Sequence, residues 1–223
     1  MFSGVCSQRY RLQILCGLYA GVLMVGLILA VTLSQDSQWM TWSLSRLGER
    51  ATNRASALAF NLSVLCASII LAMIGVGMAQ RYRQLKQSRA AQVASWLMMV
   101  LALCMAGVAL FPNDTMHTAH FVASRGVVAM MILLMVALPL SLGYLTKRER
   151  SMSLSFPILV GLLAIEGYLL KSFWFVLIEV ILGVCAAVWL FVVCQDIDMR
   201  MTEVRATSEQ QYTPLVSNGV YDE

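Results

Sequence analysis

The chain is 223 residues long, 59% hydrophobic and only 13% charged, with a formal net charge of +4. A soluble domain is about half apolar and about a quarter charged, so this composition excludes an ordinary water-soluble globule and places the excess apolar surface against lipid. The small positive charge sits in short loops between apolar runs, which reads as membrane topology rather than as a nucleic-acid-binding surface.

Residues 1–11 form a short tail ending in Arg9 and Arg11, and residues 12–33 follow as 22 residues without a charge. That run exceeds the roughly 20 residues that cross a bilayer core. It is also longer than a signal peptide's apolar region and has no small-residue cleavage site, so it is expected to be an uncleaved first span. Residues 34–54 make the longest loop. Trp39 and Trp42 are interface anchors by residue type, and Met40, Leu44 and Leu47 fall on one helical face. The pattern predicts a short amphipathic helix over 37–48 lying on the membrane, with Gly48 at its end and Arg46 toward water.

The second span is expected over 55–79, with Asn61 as its one strongly polar residue, and a basic turn follows it. The third runs over 91–111 and is stopped by Pro112. A polar island then carries Asp114 and both histidines of the chain, His117 and His120. The fourth span, 118–145, holds Arg125 early and Pro139 late. The fifth, 153–170, carries Glu166 near its end, and Lys171 marks a tight turn into the sixth, 172–194, which carries Glu179. Residues 195–223 are polar and expected to be a disordered tail.

An all-α bundle of six transmembrane helices therefore follows. With an even number of spans, both tails share one side, where eleven Lys and Arg residues lie against four on the other. That asymmetry puts both termini in the cytoplasm and fits a bacterial inner (plasma) membrane. The six cysteines show no CxxC and no metal-type spacing, and no pair sits in external loops, so neither a disulfide framework nor a metal or other cofactor is expected.

Arg125, Glu166 and Glu179 fall roughly 6–11 Å below the outer boundary at 1.5 Å per residue, with Asn61 at similar depth. Four spans thus offer polar groups in one layer, and Arg125 is expected to pair with Glu166, Glu179 or both, because an isolated charge in hydrocarbon is costly. Asp114, His117 and His120 sit at the mouth of that layer. Such a cluster either locks helices together or forms an outward-facing polar pocket. No nucleophile elbow, Walker loop or HExxH motif is present.

The order Ser43-Leu44-Ser45-Arg46-Leu47-Gly48 after span one, Phe60-Asn61 in span two, Phe111-Pro112 followed by His117 to His120, and Glu166 in span five resembles a bacterial six-span family catalogued as domain of unknown function 998. That family is distantly similar to the damage-regulated autophagy modulator family. The resemblance covers about residues 12–194, with Gly167 after Glu166 where the family pattern would place an arginine. It implies a six-helix bundle with a lipid-linked role and brings no reaction with it.

The preferred reading is a non-enzymatic membrane protein that binds a lipid headgroup or small amphiphile in a pocket formed by Asn61, Asp114, His117, His120, Arg125, Glu166 and Glu179. Membrane lipid is then the partner, or a second membrane protein that it assists. A proton-coupled transporter using Glu166 and Glu179, and a membrane hydrolase or lipid-modifying enzyme using His117, His120 and Asp114, remain as alternatives.

Overall fold

Backbone N–H and C=O groups find no water in hydrocarbon, so a long apolar run must satisfy them within itself, and an α-helix does that in one segment. The computed structural model describes residues 11–41, 43–51, 54–169 and 175–217. Its six long helices are α1 (Arg11–Leu33), α2 (Arg54–Gln84), α3 (Ser88–Leu110), α4 (His117–Ser141), α5 (Lys147–Leu169) and α6 (Phe175–Ser217), with no strand among the described residues. Each is long and apolar enough to cross a membrane. The six-span, all-α reading holds.

α2 is the centre of the bundle and packs along α1 and α3. α3 packs on α4, α4 on α5 and α5 on α6, and α6 closes the ring against α1. Leu71, Ile74 and Met78 of α2 meet Met98 of α3 in the core, with Met135 and Leu138 of α4 also buried there. Small residues let the backbones approach. A Cβ at Gly75 would lie 2.6 Å from the Cβ of Met98, so the α2–α3 contact requires glycine there. Lipid-facing positions carry Leu58, Leu62, Ile69, Leu103 and Trp96, all exposed on the protein. Pro139 and Pro157 lie inside α4 and α5, and both helices continue through them.

Three expectations change. The surface helix over 37–48 is instead two single turns of 3-10 helix, Ser37–Thr41 and Leu44–Gly48. Leu47 is buried as expected, but Met40 is 60% exposed, and Arg46 turns from water to Asp36, its Nε 2.7 Å from the carboxylate. The ion pair and the tight seat of Gly48 against Phe60 and Asn61 fold the segment onto the bundle, which one continuous helix would not allow. Second, the tail expected to be disordered from 195 continues α6 as helix to Ser217. Ile197 is fully buried and Asp198 nearly so, so the sixth helix keeps a packed face beyond its apolar run. Third, α2 and α5 reach into the basic segments, α2 to Gln84 and α5 from Lys147. The turn at Lys171 lies outside the described residues.

Candidate functional site

α3 and α4 are joined by a tight reversal at 111–116. Pro112 has no N–H to extend a helix, and its carbonyl accepts the N–H groups of Thr115 and Met116 at 3.2 and 2.9 Å. α4 opens at His117, and His117, His120, Phe121, Ser124, Arg125 and Val128 recur every three or four residues, which puts them on one helix face. All six line a cavity of about 660 Å³. Its other wall is α6, through Phe175, Glu179, Leu182, Gly183 and Ala186. α4 and α6 otherwise scarcely touch, and the cavity holds them apart. Tyr19, Leu23, Phe60, Val64 and Met105 from the first three helices supply an apolar body, while Ser43, Leu44, Ser45 and Asn113 line it from the loops at one end.

The loop residues are tied to the helices by specific bonds. Glu179 Oε2 accepts the Leu44 N–H at 2.7 Å, which anchors the first loop to α6. The Ser43 and Ser45 hydroxyls are 2.8 Å apart. Ser56 Oγ reaches the carbonyls of Ala30 and Leu47 at 2.9 and 3.1 Å, and Asn61 Nδ2 donates to the Gly48 carbonyl at 2.9 Å. Every position from Ser43 to Gly48 therefore has a bond, a buried contact or a close approach of its own.

Hydrogen-bond logic fixes both imidazoles. His120 Nδ1 is 2.8 Å from the Phe111 carbonyl, which only accepts, so Nδ1 carries the hydrogen and Nε2 is the free nitrogen. Asn113 Nδ2 donates to Glu49 Oε1 at 2.9 Å. That turns Asn113 Oδ1 toward His117 Nδ1, 2.8 Å away, so His117 also donates from Nδ1. Both histidines are thus held by one nitrogen, and the other makes no hydrogen bond among the described residues.

Arg125 does not find the carboxylate expected of it. Its guanidinium carbon sits 3.4 Å from the centroid of the Phe121 ring, and among the described residues it makes no ion pair. Phe121 in turn stands tilted against His117, with ring centroids 6.2 Å apart. A cation–π contact contributes about 0.5–2 kcal/mol, less than the roughly 2.5–3.5 kcal/mol that an arginine costs deep in a spanning helix.

The seven candidate residues do not form one cluster. His117, His120, Arg125 and Glu179 share the large cavity. Asn61 and Asp114 line a separate one of about 600 Å³ with Arg50, Arg54 and Thr115. Asp114 Oδ2 accepts the Ala51 N–H at 2.9 Å, so Asn113, not Asp114, is the residue beside His117. Glu166 is exposed on α5 and lines neither cavity. A count along the helix could not reveal which face of α5 it occupies.

Sequence reasoning missed Asn113, Phe121 and Ser124. The spacing 117, 121, 125 was the available signal for Phe121, since four-residue steps stack on a helix. It also missed a polar cluster at the opposite, basic end of the bundle. There Arg81 of α2 pairs with the buried Asp198 of α6. Asp196 accepts the Tyr144 hydroxyl at 2.9 Å and Arg200 Nε at 3.0 Å, while the Arg200 guanidinium lies 3.8 Å over the Tyr144 ring. Burial, and then the Asp196 carboxylate, push the Tyr144 hydroxyl above the usual tyrosine range. Cys16 and Cys194 are buried side by side, their sulfurs 3.2 Å apart. Among the described residues, no three His, Cys, Asp or Glu side chains converge as a metal site.

A family model described as "Protein of unknown function (DUF998)" matches residues 18–196, four-fifths of the chain. No curated protein and no solved structure matches it.

Proposed function

The chain belongs to the DUF998 family, whose model runs from within α1 to within α6, and from that premise we propose a non-enzymatic membrane protein that holds a small amphiphile or the headgroup of a membrane lipid between α4 and α6. The observation that carries this reading is the division of one cavity into a polar end and an apolar body. A volume of about 660 Å³ falls within the roughly 300–1,000 Å³ of small-ligand sites. Polar groups at one end with aliphatic walls beyond them match a molecule with a head and a tail.

The eleven-to-four basic asymmetry supports placing the histidine end away from the cytoplasm and both termini inside, in an inner (plasma) membrane. Cysteine tags placed in the first loop and in the C-terminal tail of a cysteine-free variant then label from opposite sides. The two rival readings receive less support. A proton relay through two carboxylates lacks its second member in the cavity, because Glu166 is elsewhere. A hydrolase built on His117 and Asp114 lacks their contact, because Asp114 is bound to Ala51.

The test uses glycines. Gly183 lines the cavity, and a Cβ there meets nothing within 4 Å, so Gly183→Leu fills the cavity without a backbone clash. Gly161 on α5 is equally open but does not line it, so Gly161→Leu is the control. Purification in native lipid followed by mass spectrometry yields a co-purifying amphiphile with the parent protein and with Gly161→Leu, and loses it with Gly183→Leu. An equal yield of that amphiphile from all three would refute the reading.

A further inference from the structure

The polar end of the cavity holds two opposite charges that do not meet. Arg125 reaches it from α4 and Glu179 from α6, yet they form no ion pair. Opposite charges that face one space between spanning helices normally pair, since lipid offers neither of them a partner. Here each is only partly compensated. Arg125 has a ring face and no acceptor among the described residues. Glu179 has one backbone N–H on Oε2, and its Oε1 has no partner among the described residues. The separation is built in, because Glu179 is held toward the first loop by Leu44 and Arg125 is held along its own helix by Phe121.

The two walls also differ in kind. α4 presents Arg125 together with His117 and His120, each imidazole tied by Nδ1 with Nε2 left over. α6 presents a single carboxylate. A ligand that satisfies both walls carries an anion on its α4 side and a cationic donor on its α6 side. A purely anionic head leaves Glu179 repelled, and a purely cationic head leaves Arg125 repelled. Phosphate is the anion that suits a guanidinium, because it offers several acceptor oxygens to several N–H donors, while a neutral imidazole already donating from Nδ1 offers Nε2 only as an acceptor.

Building on the amphiphile reading above, we propose that the cavity selects a single-chain amphiphile with a zwitterionic phosphate–amine headgroup. Its phosphate faces Arg125, its amine meets Glu179 Oε1, and its chain lies along the apolar body of the cavity. The cavity's volume accommodates one chain and a small head. The α4–α6 gap is the route in from the lipid.

Binding to the full-length protein in detergent is measured with four probes: lysophosphatidylethanolamine, lysophosphatidylglycerol of the same chain (phosphate without amine), a fatty amine (amine without phosphate) and phosphoethanolamine (head without chain). The expected order puts lysophosphatidylethanolamine at least about tenfold ahead of each of the others. Glu179→Gln removes its advantage over lysophosphatidylglycerol, and Arg125→Gln removes its advantage over the fatty amine. The selectivity of the unmodified protein needs no variant, so a poorly folding mutant does not shield the idea. Equal affinity for lysophosphatidylethanolamine and lysophosphatidylglycerol overturns the zwitterion and leaves the amphiphile reading standing. Phosphoethanolamine binding as tightly as its acylated form overturns the chain. Failure of every acylated probe to bind overturns this proposal and the amphiphile reading together.

Discussion

The bond between Glu179 and the first loop can be tested at a single amide. The Leu44 N–H opens a turn of 3-10 helix and has the Glu179 carboxylate, 2.7 Å away, as its acceptor. A hydrogen bond to a charged group contributes about 1.5–3 kcal/mol. Glu179→Ala removes it and leaves the amide without an acceptor. Glu179→Gln keeps a carbonyl oxygen at the same reach and loses only the charge. Local opening of the segment 43–48 governs how fast its amides exchange with solvent. At 1.4 kcal/mol per decade, the alanine variant raises exchange there roughly 10- to 150-fold, and the glutamine variant raises it by a smaller factor. Hydrogen exchange read by mass spectrometry on a peptide covering 43–48, with a peptide from the α2–α3 core as reference, measures this directly. If exchange at 43–48 is the same in the parent and in Glu179→Ala, the loop is held by other contacts and the carboxylate does not order that end of the cavity.

Other consequences follow from the packing. A methyl at Gly75 must move from 2.6 Å to an ordinary 3.4 Å from the Met98 Cβ, which parts α2 and α3 by 0.8 Å; Gly75→Ala is therefore expected to cost about 1–3 kcal/mol, read as a lowered melting temperature in detergent. Arg81→Leu or Asp198→Leu alone leaves an uncompensated charge among buried groups and costs about 3–5 kcal/mol, and the double replacement is milder than either; a double variant as unstable as the sum of the singles would refute the pairing. Tyr144 is held protonated in the folded protein, so its contribution to stability is complete below the ordinary tyrosine range near pH 10 and fades as pH rises through its own higher value. A spectrophotometric titration should therefore lose one late-ionising phenol in Tyr144→Phe.

The helices were the legible part of this chain. A run such as 12–33 states its length and its solvent in one reading, because lipid leaves the backbone no other arrangement. One grouping was legible as well: Arg125 and Glu179 line one cavity. Azimuth was not. A residue count gives height along a helix, but which face turns inward depends on packing against neighbours. Glu166 therefore lines neither cavity, and Asn61 and Asp114 went to a second one. The first loop shows the same limit. Met40, Leu44 and Leu47 fit one helix by spacing, yet the Arg46–Asp36 pair and the close seat of Gly48 break it into two turns. The end of α6 was misread because Asp196, Asp198 and Arg200 look like a solvated tail, while Ile197 between them is fully buried, as is Cys194 just before them, and both keep the helix packed.

The central claim is that the gap between α4 and α6 is a binding site for an amphiphile. A density map of the protein reconstituted with its native lipids tests it most directly. The account predicts elongated density in that gap, with its bulkier end within hydrogen-bonding reach of Arg125 and of Glu179 Oε1 and its thinner end between Leu23, Val64 and Met131. A map in which α4 and α6 close on each other, with Arg125 paired directly to Glu179, would contradict it.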